Sequence, residues 1–180
     1  MFVICRETPD QPAVTSLFDQ ADARTAGLYP GQDRAGLSAG QLIAEDVRFF
    51  VVRRNVDSLA VACGGYIPQP LGQGPFLSSR HDAPVSVVEI KRLFVNGDMR
   101  RQGLARMLMV HMEQDALANG FGGICLETGI QSDAAIALYA SLGYQRCAPF
   151  GPYQRDVNSV FMVKMPVFPL RQDNKAVAPK

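Results

Sequence analysis

The chain of 180 residues is 47% apolar and 19% charged, with a formal net charge of +1, which suits one buried core and one domain of ordinary size. No apolar run reaches the roughly 18–20 residues of a spanning helix, and no basic block offers the face on which nucleic-acid affinity rests, so neither a membrane nor a nucleic acid is an expected partner. Cys5, Cys63, Cys125 and Cys147 form no CxxC pair and read as free thiols in a reducing cytoplasm, not as disulfides or zinc ligands.

The start, Met1 to Cys5 and then Arg6 and Glu7, lacks the basic lead and apolar length of a secretory signal; Phe2 to Arg6 reads as a first strand. Asp10 to Leu28 has helical spacing and is broken by Tyr29, Pro30 and Gly31, and Leu37 to Glu45 reads as a second short helix. Val47 to Arg54 and Leu59 to Ile67 are strand-like runs around a turn at Asn55 to Ser58, which predicts a hairpin. Pro68 to Pro84, rich in Gly, Pro and Ser, reads as an exposed loop of functional length. Val85 to Val95 is the strongest strand in the chain.

A long helix follows, with Leu104, Met107, Leu108, His111 and Met112 on one face and Asn119-Gly120 at its end. Gly123 to Thr128 is a further strand. Ser132 to Leu142 is a helix with Ala135, Leu138, Tyr139 and Leu142 on one face, Ser132 placed to cap it and Gly143 to end it. Tyr144 to Phe150 and Ser159 to Val167 read as closing strands. The order is β-α-α-β-β-β-α-β-α-β-β, a single domain over 1–170 with a polar tail over 171–180 that frays.

The segment Arg100-Arg101-Gln102-Gly103-Leu104-Ala105 lies between a strand and a strong helix. A helix start leaves backbone N–H groups without intrahelical partners, and its dipole favours negative charge. A pyrophosphate can accept those bonds. Gly103 lets it approach the backbone, and Arg100, Arg101 and Arg106 add positive charge. Basic residues flanking a helix start are equally an ordinary solvated surface. Neither a P-loop nor a GxGxxG fingerprint is present.

Arg100-x-x-Gly103-x-Ala105 resembles the Q/R-x-x-G-x-G/A signature of the GNAT (general-control-related) N-acetyltransferase superfamily, and Ala135 to Tyr144 (AIALYASLGY) resembles its second signature. Leu28-Tyr29-Pro30, Glu127-Thr128-Gly129, Phe150-Gly151-Pro152-Tyr153 and Ser159 to Met162 look like a bacterial subfamily, some of whose members are labelled indole-acetate acetyltransferases. The resemblance implies an α/β (α+β) GNAT fold, with a mixed, mostly antiparallel central sheet of about six to seven strands flanked by helices. It also implies acetyl-CoA as acyl donor, with Leu93, Phe94, Val95, Arg100, Arg101, Gln102, Gly103, Leu104, Ala105 and Arg106 holding it. Many relatives carry a cofactor-touching asparagine where this chain has Ser132, which is kept as a candidate.

Amine acetylation needs a base for the ammonium, a donor to the thioester oxygen and an acid for the leaving thiolate. Glu89, an acidic residue inside an apolar strand, is the candidate base, directly or through water, and its spacing of 11 residues before Arg100 resembles that of the general-base glutamate in the histone-acetylating branch of the superfamily; a salt bridge to Lys91 or Arg92 is the competing reading. The family pattern puts a bulge with a free amide near Phe94. It makes Tyr139 the acid, although a core tyrosine is the plain alternative. Tyr29, Glu127 and Tyr153 are candidates for the acceptor site.

His111 on the core stripe and His81 in the loop carry no metal or nucleophile spacing, and no metal is expected. The expected activity is acetyl transfer from acetyl-CoA to an amine, of a small molecule in preference to a protein lysine or N-terminus. A non-catalytic acyl-CoA sensor is the rival, and a homodimer is allowed.

Overall fold

The structure is a computed structural model that describes residues 1–69, 86–151 and 156–165. The loop expected over Pro68 to Pro84 with His81, the candidate Tyr153 and the tail over 171–180 lie wholly or mostly outside them.

The described elements are β1 (Phe2–Arg6), α1 (Pro12–Leu28), α2 (Ala39–Ala44), β2 (Arg48–Arg54), β3 (Ala60–Pro68), β4 (Val87–Val95), a 3-10 turn (Gly97–Met99), α3 (Leu104–Ala118), β5 (Gly123–Gly129), α4 (Asp133–Ser141), β6 (Gln145–Arg146) and β7 (Ser159–Lys164). The strands form one sheet in the order β1-β2-β3-β4-β5-β7-β6, antiparallel everywhere except between β4 and β5. A mixed, mostly antiparallel sheet with helices on both faces is the architecture expected from the sequence. The insertion of β7 between β5 and β6 was not foreseen, because strand neighbours far apart in sequence leave no local mark.

Alternation along β2 shows how the two faces are filled. Phe50 and Val52 join the core under α3 and α4, with Tyr66, Ile90, Leu108 and Leu126. Phe49 and Val51 join the opposite core under α1 and α2, with Leu17, Phe18, Leu42 and Phe94. A strand buried on both faces reads as a continuous apolar run, as RFFVV does here.

Local chemistry sets the helix bounds. Proline stands in the first turn of α1, where its missing N–H costs nothing, and Val14, Leu17 and Phe18 form its buried stripe. Ser38 and Gln41 close a capping box on α2. α3 buries Leu104, Leu108, Met109, Met112 and Ala116. Met107 and His111, expected on that stripe, are only partly buried, and His111 stands edge-on to Phe50 at 4.9 Å.

The C-terminal half of α3 is pinned to the sheet by Arg48, which donates to both oxygens of Asp115 at 2.7 and 2.8 Å while the Tyr66 hydroxyl donates to the same carboxylate. The Arg48 bond holds the Asp115 carboxyl below the usual range. Glu113, buried on α3, accepts from Lys164 of β7 at 2.6 Å. Gly143 ends α4 with a left-handed φ of 90°. Only Gln145–Arg146 of the expected Tyr144 to Phe150 strand is regular, and Pro149, without an N–H, cannot extend the ladder.

Candidate active site

β4 and β5 pair from Val87↔Gly123 to Ile90↔Leu126 and then part. β4 continues to Val95 against β3, and β5 continues to Gly129 against β7. A wedge therefore opens between their C-terminal halves. The irregularity lies in β4, where Phe94 pairs with Cys63 but Lys91 pairs with Gly65, so the β4 side holds an extra residue. Arg92 takes it up with a left-handed φ of 56°, and a bulge of this kind bends its strand and re-aims the groups beside it. Gly64 faces the bulge, where a Cβ would press on the Leu93 Cα at 3.3 Å.

The Asn96 amide donates to the Val61 carbonyl of β3 at 2.9 Å. Amides alternate along an extended strand, so the Phe94 amide also faces β3, while those of Leu93 and Val95 face the wedge. The bulge expected near Phe94 is thus centred on Arg92, and Phe94 is not the residue whose amide meets the opening. Propensity gave no hint of this, because an arginine rarely adopts a left-handed conformation.

Two cavities meet in the wedge. One, of about 450 Å³, runs past Val95, Arg100, Arg101, Gly103, Ala105 and Arg106. The other, of about 590 Å³, reaches Tyr29, Arg34, Glu89, Lys91, Glu127 and Asp156. Arg24, Leu93, Phe94, Ala135 and Tyr139 belong to both. Leu104 also lines the first. Gln102 does not; its amide nitrogen lies 3.9 Å from the Met99 sulfur.

The start of α3 fits a diphosphate. The first intrahelical bond is Met107 N–H to Gly103 carbonyl, so the amides of Leu104, Ala105 and Arg106 lack intrahelical partners. No side chain caps them. Gly103 has φ 78° and open space around the direction of a Cβ. Arg100 lies over the Phe94 ring at 5.8 Å, and Arg106 bonds Ser141 of α4.

Tyr139 is 6% exposed and lines both cavities. Burial, with the charge of Glu127 adding to it, pushes its phenol well up, so it holds its proton through the neutral range. Glu89 is 2% exposed; its oxygens accept from Lys91 Nζ at 2.6 Å and Gln69 Nε2 at 2.7 Å. The Lys91 ion pair considered as the competing reading is therefore formed. Ser132 stands at the cap position of α4, but its side chain makes no cap bond, and it lines the larger cavity instead of the phosphate side.

Tyr29 accepts a bond from the Gln131 amide at 2.8 Å and lies under the Arg34 guanidinium at 4.8 Å. Gly129 makes room for it, since a Cβ there would overlap the Tyr29 hydroxyl. Glu127 Oε1 accepts from Ser159 at 2.6 Å and from Arg34 at 3.1 Å, and Arg34 also pairs with Asp156. Among the described residues its Oε2 has no donor. Arg24, Arg34 and Asp156 escaped sequence reasoning, since nothing local distinguishes them from surface polar residues.

Arg92 ties the bulge to α1. Its guanidinium stacks on Phe18 at 4.0 Å and donates to Asp22 at 2.6 and 3.2 Å, with the side chain 6% exposed. A Cβ on Gly36 would overlap that guanidinium. Gly36→Ala is therefore expected to cost about 1–3 kcal/mol by overpacking. That would appear as a Tm lower by several degrees, at about 2–4 °C per kcal/mol. Gly40→Ala, with open space around its Cβ direction, should hold or raise Tm; equal losses in both would remove the Arg92 contact as cause.

Burial raises the Cys63 thiol to about 12 and the Cys147 thiol to about 11, so neither offers a thiolate near neutral pH. Among the described residues, no three His, Cys, Asp or Glu side chains cluster as metal ligands, and no helix is long and apolar enough to cross a membrane.

The fold and site place the chain in the acyltransferase class. Residues 15–144 match the acetyltransferase (GNAT) family, and the chain belongs to that family; it is an N-acetyltransferase. It is 35% identical to an Azospirillum brasilense protein named IAA acetyltransferase, over 89% of this chain and 95% of that one. A Klebsiella pneumoniae structure described as an acyl-CoA N-acyltransferase superposes with TM-score 0.70 at 31% identity, covering 93% of this chain and 99% of that one. An Elizabethkingia anophelis family member with acetyl-CoA bound shares the fold, with TM-score 0.62 at 14% identity over 91% of this chain and 97% of its own.

Proposed function

We propose that the chain moves an acetyl group from acetyl-CoA directly to the amine of a small molecule. The observation that carries this reading is the wedge, in which a phosphate-ready cavity and a polar cavity share Tyr139 and the amide edge of β4. Acetyl-CoA supplies the activated acetyl group. The amides of Leu104 to Arg106, with Arg100, Arg101 and Arg106, hold the diphosphate, and Val95 pairs with the pantetheine arm. The Leu93 amide at the bulge donates to the thioester oxygen. Tyr139 gives its proton to the departing sulfur. Among the described residues no cysteine lines either cavity, which favours direct transfer over an acyl-cysteine route. Titration with acetyl-CoA, followed by thiol release across an amine panel, tests this; cofactor binding without turnover of any amine would leave a sensor.

Two carboxylates compete for the ammonium proton. Glu89 is the base named by strand position, but an incoming amine must displace Lys91 or Gln69, or work through water. Glu127 offers Oε2 to the larger cavity and acts electrostatically on Tyr139, which favours Glu127 for direct contact. Glu127→Gln should therefore lower kcat/KM by about 10²–10⁴. Glu89→Gln should cost about tenfold or less by comparison. The reverse ranking would return the role to Glu89.

A further inference from the structure

Resting on that transferase reading, we infer that the acceptor is an amino-acid-like zwitterion, an amine that also carries a carboxylate, and that Arg24 receives the carboxylate. The larger cavity is lined by four cationic side chains, Arg24, Arg34, Lys91 and Arg92. Three are neutralised within the protein: Arg34 by Glu127 and Asp156, Lys91 by Glu89, and Arg92 by Asp22. Arg24 forms no ion pair or hydrogen bond among the described residues. Exposed on α1, it lines the cavity with Ala21 and Thr25 of the same helical face, and it also lines the smaller cavity, so it stands at the mouth they share.

The other side of the same cavity is charged the opposite way. Glu127 and Asp156 share the single guanidinium of Arg34. The cavity therefore has surplus negative charge on the β5–β7 side and surplus positive charge on the α1 side. An ammonium placed at Glu127 Oε2 answers the first, and a carboxylate at Arg24 answers the second. A simple alkylamine answers only one, and a polyamine sets a second cation against Arg24. An Arg fork suits a carboxylate because two parallel N–H donors match its two oxygens. A volume of about 590 Å³ holds a molecule of amino-acid size with room for its side chain.

The test uses the full chain and matched pairs, in which an amino acid is compared with the amine left by removing its carboxylate: phenylalanine with phenethylamine, and leucine with 3-methylbutylamine. Thiol release gives kcat/KM, and calorimetry on protein saturated with CoA gives Kd. The acid member should be favoured by about tenfold or more in both readouts, and Arg24→Gln should bring it down to the level of its amine. Equal or better performance of the amine in every pair would overturn the inference. So would an Arg24→Gln variant that loses acetyl-CoA affinity more than acceptor preference, since Arg24 would then belong to the donor. Absence of turnover with every amine strikes the transferase reading, while the calorimetric preference still decides the zwitterion.

Discussion

Gly103→Leu is expected to weaken acetyl-CoA binding by about a hundredfold or more, the loss that follows when two charge-assisted hydrogen bonds worth about 1.5–3 kcal/mol each are blocked. The protein around Gly103 leaves open space where the new side chain would stand, so the ligand phosphate, and not a neighbouring residue, is what it displaces. The remaining cost is conformational. Gly103 sits at φ 78°, ψ 1°, and a side chain there costs about 1–2 kcal/mol, which lowers Tm by only a few degrees. Gly103→Ala carries the conformational cost with the smallest side chain and should fall between. Calorimetric titration with acetyl-CoA alongside thermal unfolding separates the two effects. Wild-type affinity in the leucine variant would remove the start of α3 from the donor site.

Tyr139→Phe should lower kcat by about 10²-fold or more, the scale of a lost general acid, with acetyl-CoA affinity held within a small factor. The Tyr139 hydroxyl has no hydrogen-bond partner among the described residues, so its removal orphans no buried group, and thermal stability should change little. Burial and Glu127 push the phenol in the same direction. It therefore stays protonated beyond the ordinary tyrosine range near pH 10, and no alkaline limb below about pH 10 should trace to it. Matching losses in kcat and affinity would mark Tyr139 as a packing residue against Tyr144, whose ring lies 5.9 Å away.

Glu89 and Glu127 show how far linear reading reaches into the site. An acidic residue in the apolar run VVEIKRLFV marks itself, and Glu89 was legible for that reason. One of the bonds that occupy it also comes from a near neighbour, Lys91, two residues along the same strand, while another comes from Gln69, 20 residues away. Glu127 was legible only through family likeness. Its engagement with Arg34 across 93 residues, which leaves one oxygen open, has no local signature.

By itself the sequence determined the features that reside within one turn or one helix. These are the apolar periods of α1, α3 and α4, the end of α4 at Gly143, and a glycine-led start to α3 flanked by arginines. Such features depend on neighbours three or four residues apart, and a linear string displays them. The tertiary structure alone decided the placement of the bulge at Arg92, the insertion of β7 beside β5, and the pairing that leaves Arg24 without an ion partner among the described residues. A charge on a free chain can meet many opposite charges, and an arginine alone disfavours a left-handed backbone. Sheet register and helix packing select one pairing from the many, and they hold the strain in place with Phe18, Asp22 and Gly36 around it.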